Sequence, residues 1–120
     1  DPLWSRGLGD VYKRQAPQGS IVFTSSGVGR KGKAYWGGYA VSKFATEGLM
    51  QVMAAEYEGS TLRVNAINPG ATRTKMRSKA YPGEDQLSLP TAEQIMPVYL
   101  YLMSDDSKAV NGQSLDAQQK

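Results

Sequence analysis

The run Gly19-Ser20-Ile21-Val22-Phe23-Thr24-Ser25 is short, apolar and rich in β-branched side chains, and it follows Pro17. That pattern predicts a buried strand. A glycine-rich loop follows, from Ser26 to about Gly38. From Tyr39 to Glu58 the apolar positions Phe44, Leu49, Val52, Met53 and Tyr57 predict a helix, which Gly59-Ser60 ends. Gly48 inside that helix costs about 1 kcal/mol relative to alanine, so it is expected to permit a close packing contact. Leu62-Arg63-Val64-Asn65-Ala66-Ile67-Asn68 predicts a second strand, stopped by Pro69-Gly70. Residues 71–90 are polar and read as irregular, broken by Pro82-Gly83 and Pro90. Thr91 is expected to cap a helix running to Met103, with Gln94 at capping-box spacing and Ile95, Val98, Tyr99 and Leu102 as apolar positions. Asn111-Gly112 marks a turn into a last short strand at about 114–117. The order strand–helix–strand–helix–strand predicts an α/β layer with parallel pairing.

Composition narrows the chemistry. At 120 residues the chain has room for one small domain or part of a larger one, and 40% apolar residues allow a core. No apolar run approaches the ~18 residues that a membrane span needs, and no secretory apolar segment opens the chain. Without cysteine there is no disulfide and no thiolate metal site, which fits a cytoplasmic protein. Without histidine there is no Ser-His-Asp triad and no His-ligated zinc. No metal is therefore expected. The formal charge of +3 is too small and too scattered to argue for nucleic acid.

The first fifteen residues stand apart. Ser5-Arg6-Gly7-Leu8-Gly9-Asp10-Val11-Tyr12-Lys13-Arg14-Gln15 has no apolar periodicity, and it resembles the translation of a transposase-type sequencing adapter. Residues 1–15 are expected to be an adapter-derived scar and are set aside from the fold reading; the other reading is a native basic leader.

Tyr39 and Lys43 are four residues apart, about one helical turn, so phenol and ammonium share a helix face. At ~5 Å and an effective dielectric near 20 their attraction is on the order of 3 kcal/mol. That is roughly two pK units, enough to move a phenol from ~10 towards neutrality. Ser26, thirteen residues before Tyr39, offers a hydroxyl to hold a substrate oxygen. The three together can move a proton at a carbonyl or alcohol oxygen.

Two other features compete for attention. Gly27-Val28-Gly29-Arg30-Lys31-Gly32 matches the dinucleotide fingerprint letter for letter and follows a strand. The fingerprint should open a helix directly and be answered by an acidic residue at the next strand end. Here more loop follows, and Glu47 lies inside the predicted helix, so the glycines read as a permissive active-site loop. Arg30, Lys31 and Lys33 form a small basic cluster, read first as a solvated loop and otherwise as an attractor of acidic substrate or cofactor phosphate.

The strand–Ser26-x-x-Gly29, Tyr39-x-x-x-Lys43 and strand–Asn68-Pro69-Gly70-x-x-x-Thr74 blocks occur in that order. With the wording IVFTSSGVGR, GGYAVSKFATEGLMQVMAAEY, LRVNAINPGATRTKM and NGQSLDAQ, the chain from Gly19 to Ala117 resembles the short-chain dehydrogenase/reductase family. Within it, these blocks are most similar to the YciK-type bacterial oxidoreductases. The resemblance implies the C-terminal half of a Rossmann-like doubly wound parallel sheet, with about three strands and two main helices. It implies an NAD(P)-dependent oxidoreductase that interconverts a carbonyl and an alcohol by hydride transfer. Tyr39 would be the general acid/base, Lys43 would lower its pKa and bind the nicotinamide ribose, and Ser26 would orient the substrate oxygen. Pro69 and Gly70 would turn the chain beneath the nicotinamide, and Thr72 and Thr74 would hold its carboxamide. The family's glycine-rich cofactor turn has no counterpart here, so residues 16–120 are expected to be a fragment, inactive alone. The residue separating NAD from NADP is missing with it. Its partners are expected to be a small-molecule carbonyl or alcohol and, for the parent, copies of itself as homodimer or homotetramer through the tyrosine helix. The basic rim Thr72-Arg73-Thr74-Lys75-Met76-Arg77 leaves room for an anionic substrate. The alternative is a non-catalytic family member that binds nucleotide or a partner protein.

Overall fold

The computed structural model describes residues 19–118. The run expected to be adapter-derived, residues 1–15, lies outside them. Strand β1 spans Gly19–Thr24, β2 Leu62–Asn68 and β3 Ser114–Asp116. They form one sheet in the order β1-β2-β3, parallel throughout. Gly19 pairs with Leu62 and Thr24 with Ile67, while Asn68 pairs with Asp116. Parallel pairing brings the carboxyl ends of all three strands together, where α/β sheets bind their ligands.

Helix α1 spans Gly37–Glu56, α2 Lys75–Ala80 and α3 Met96–Met103. Strand residues alternate between faces, and the partners follow that alternation. Val64 and Ala66 of β2 pack with Met50 and Ala54 of α1, joined by Ile21, Phe23 and Met53. Ser20 and Arg63, paired across β1 and β2, point to the other face. There both bind the carbonyl of Leu102 at the end of α3. Helices thus cover both faces of the sheet, and β2 is buried from Leu62 to Ile67. This is the α/β, Rossmann-like arrangement expected from the sequence.

The differences are local. Helix α1 begins at Gly37 rather than Tyr39, because the N–H of Ala40 reaches the carbonyl of Trp36 and draws both glycines into the first turn. Its last helical residue is Glu56 rather than Glu58. Gly59 then takes φ +79°, a conformation that glycine adopts freely. Among the described residues the expected close contact at Gly48 is absent: a Cβ there would meet none of their atoms within 4 Å. Residues 71–90 are not wholly irregular. Thr74 caps α2, its hydroxyl accepting the N–H of Arg77 at 3.1 Å.

The capping box at Thr91 forms as read, with the Thr91 N–H donating to Gln94 Oε1 at 2.8 Å and the Gln94 N–H to Thr91 Oγ1 at 3.3 Å. It does not open one continuous helix. A 3₁₀ turn, Glu93–Ile95, precedes α3, and Pro97 at the start of α3 has no N–H for the bond that would fuse the two.

Candidate active site

Each expected site residue stands at or beside the carboxyl edge of the sheet. Ser26 leaves β1 two residues after Thr24 and caps the 3₁₀ turn Gly27–Gly29, its Oγ accepting the Val28 N–H at 3.4 Å. The first turns of α1 carry Tyr39, 46% exposed, and Lys43, half-buried. Lys43 Nζ donates to the Thr24 carbonyl at 3.3 Å and lies 5.6 Å from the centre of the Tyr39 ring. The lysine therefore links the end of β1 to the phenol.

Gly29 explains how closely the two segments meet. A Cβ on it would fall 2.8 Å from the Lys43 carbonyl oxygen and 3.0 Å from Ser25 Oγ. The glycine allows the serine loop to lie directly on the turn of α1 that carries Lys43. Its role in the fingerprint-like run is packing, in agreement with the loop reading and against a phosphate cradle. Arg30, Lys31 and Lys33 are all exposed, as the solvated-loop reading expects, but Arg30 is also tethered. Its guanidinium donates to Asp116 Oδ1 at 2.7 Å, to Ser114 Oγ and to the Leu115 carbonyl, fastening the loop to β3.

The turn after β2 is equally well held. Gly70 adopts φ +73°, and its N–H donates to Asn68 Oδ1 at 3.1 Å. Gln118 Nε2 donates to the carbonyls of Pro69 and Ala71, on either side of Gly70. Thr72 is buried, its hydroxyl donating to the Gly70 carbonyl at 3.1 Å. Thr74 Oγ1 already serves as the cap of α2, which leaves its hydroxyl hydrogen free to donate.

The basic rim is largely committed to the protein itself. Arg73 donates to the carbonyls of Gln86, Leu87 and Leu89. Arg77 pairs with both oxygens of Glu84, at 2.8 and 2.9 Å. That hydrogen bond is the main reason the Glu84 carboxyl is held below its ordinary range; the same pair pushes Arg77 further up. An open groove of about 530 Å³ adjoins the turn, lined among others by Arg73, Leu89, Pro90 and Gln118, and none of Ser26, Tyr39 and Lys43 lines it.

Sequence reasoning missed three contributors. The Trp36 ring packs at a tilt against Tyr39, 5.7 Å between centres, and against Tyr81 at 6.5 Å, so an aromatic wall runs from the tyrosine to the end of α2. Gln118 clamps the Pro69-Gly70 turn. Glu47 is buried on α1 in line with Ala40, Met50 and Ala54. A carboxylate in the apolar stripe of a helix was the available signal, since a buried charge needs partners.

The family model described as short chain dehydrogenase matches residues 7–85. The uncharacterized oxidoreductase YciK of Escherichia coli K12 is 62% identical over 100 residues, which cover 83% of this chain and 39% of that protein. A crystal structure of a short chain dehydrogenase from Salmonella enterica serovar Typhi is 61% identical with a TM-score of 0.81, over 83% of this chain and 41% of that one. A structure from Escherichia coli CFT073 complexed with NADPH is 53% identical with a TM-score of 0.83, over 96% and 47%. The chain thus spans less than half the length of each of these relatives. The family model, the curated relative and the solved structures agree: the chain belongs to the short-chain dehydrogenase family, among its YciK-type members.

Proposed function

We propose that residues 16–120 are the C-terminal part of a longer NAD(P)-dependent oxidoreductase that interconverts a carbonyl and an alcohol. The observation that carries this reading is Lys43, whose ammonium reaches the end of β1 and stands beside the Tyr39 ring. Tyr39 gives a proton to the carbonyl oxygen in reduction and removes it in oxidation. Lys43 holds its ammonium beside the Tyr39 ring, and Ser26 orients the substrate oxygen.

The donors present suit a nicotinamide nucleotide. Lys43 has ammonium hydrogens beyond its bond to Thr24, fit for ribose hydroxyls, and the Thr74 hydroxyl and Thr72 backbone suit a carboxamide above the Pro69-Gly70 turn. When bound, the nicotinamide supplies the hydride chemistry. Complexes of relatives with NADPH favour NADPH as the first cofactor to try.

The substrate is a small carbonyl or alcohol. With Arg73 and Arg77 committed to internal partners, an anionic substrate gains little support. Helix α1 leaves Val41, Phe44, Leu49 and Val52 exposed around Gly48. That stripe supports self-association of the parent, as homodimer or homotetramer, through this helix. Among the described residues no helix is long and apolar enough to cross a membrane, and a cytoplasmic enzyme accords with the chain's lack of cysteine.

The test is NADPH oxidation by the full-length protein against a panel of aldehydes and ketones. Tyr39→Phe is expected to lower turnover by about 10²–10⁴-fold, and the 120-residue chain is expected to show none. No turnover by the full-length protein would favour a binding protein instead, full activity in Tyr39→Phe would remove the tyrosine from the proton transfer, and turnover by the isolated chain would sink the fragment reading.

A further inference from the structure

Glu47 takes no part in the proton transfer, yet it is only 5% exposed. It follows Lys43 by four residues, as Lys43 follows Tyr39, so the three side chains climb successive turns of α1. Glu47 Oε1 accepts Ser25 Oγ at 2.6 Å and Ser114 Oγ at 2.7 Å, and Arg30 Nε lies 3.6 Å away. Arg30 in turn donates to Asp116 Oδ1 at 2.7 Å, the oxygen that Asn68 Nδ2 reaches at 3.1 Å. One polar chain therefore joins the residue before Ser26, the helix of Tyr39 and Lys43, and the residue before Pro69.

A buried carboxylate is stable only when its charge and lone pairs are answered. Here two hydroxyls and a guanidinium answer it, and each belongs to a segment that carries a site residue or pins one in place. Ser25 matters most, because it is covalently next to Ser26 and its side chain is fixed on α1.

We propose that Glu47 is a positioning residue, holding the Ser26 loop against the Tyr39–Lys43 turn through Ser25 and tying both to the Asn68-Pro69-Gly70 turn through Ser114 and Arg30. The proposal rests on the oxidoreductase reading above. Its physical basis is the steep dependence of rate on placement, in which a shift of about 1 Å costs on the order of a hundredfold.

The test is steady-state kinetics of the full-length protein with NADPH and the carbonyl panel, for Glu47→Ala, Glu47→Gln, Ser25→Ala and Tyr39→Phe. Glu47→Ala and Ser25→Ala are expected to lower kcat by roughly tenfold or more while KM for NADPH stays within about twofold, since placement and not binding is lost. Glu47→Gln keeps an acceptor oxygen for both hydroxyls and is expected to recover most of kcat. Unchanged kcat in folded Glu47→Ala or in Ser25→Ala overturns the proposal, as does a loss confined to melting temperature or to KM. A Gln variant as impaired as the Ala variant also overturns it. If Glu47→Ala does not fold, Ser25→Ala decides alone. Full activity in Tyr39→Phe, or no turnover by the unaltered protein, would instead overturn the reading beneath it and the proposal with it.

Discussion

Replacing Gly29 by alanine would push one methyl group into the seam between the serine loop and α1. The added Cβ would stand 2.8 Å from the Lys43 carbonyl oxygen, 3.0 Å from its carbonyl carbon and 3.0 Å from Ser25 Oγ. Two of these atoms are backbone within a 20-residue helix, so they cannot swing aside as a side-chain end could. Either the Gly27–Gly29 turn lifts off the helix or α1 shifts on the sheet. Overpacking of this kind costs about 1–3 kcal/mol. For a protein of about 150–250 residues, each 1 kcal/mol lowers the melting temperature by about 2–4 °C. Thermal unfolding of the cofactor-free full-length protein is expected to show a drop of that scale. Adding Ser25→Ala relieves only the third contact, so the double variant should remain destabilised. The same displacement moves Ser26, and kcat should fall with it. A Gly29→Ala protein with an unchanged melting temperature but lost NADPH affinity would refute the packing argument and restore the glycines as a phosphate cradle.

Other outcomes follow from single contacts. Arg63→Met keeps the apolar stem but strips Nη2 bonds to the carbonyls of Leu102 and Ser104, at 3.2 and 2.7 Å, and to Ser107 Oγ. Bonds to a charged donor are worth about 1.5–3 kcal/mol each, and escape from burying the charge offsets part of that, so a net loss of about 2–3 kcal/mol is expected in denaturant unfolding. No shift in midpoint would refute it. Gly48→Leu fills the open centre of the exposed stripe on α1; sedimentation should show dissociation of the parent oligomer with the fold intact, and an unchanged oligomer would exclude this face. Glu84 has its carboxyl depressed by the Arg77 hydrogen bond, so its contribution is present above the ordinary value of about 4.3 and disappears as pH falls through the lower folded value. The stability gap between the unaltered protein and Glu84→Gln should therefore close on acidification; a gap that widens would contradict the sign.

The chain's own pattern determined the strands, their order and the α/β class. β-branched runs bounded by glycine and proline are local signals, and they put β1 and β2 where the structure has them. The capping box at Thr91 and the Asn111-Gly112 turn were legible for the same reason, because each is satisfied within a few residues. So was the closeness of Tyr39 and Lys43, through their one-turn spacing. What the sequence could not decide were contacts between segments far apart along the chain. Arg30 is exposed as the sequence suggests, but only the fold shows that β3, more than eighty residues away, supplies Ser114 and Asp116 to it. Gly29 read as part of a permissive loop, but only the fold shows that the Lys43 carbonyl lies against it. Gly48 looked like a packing glycine, yet nothing in the described residues approaches it. Glu47 was one more helix charge until folding buried it under two serines. Periodicity encodes which face of an element is apolar; only the packed sheet and helix decide which polar groups that face must satisfy, because an unanswered polar group is costly only once water has been excluded.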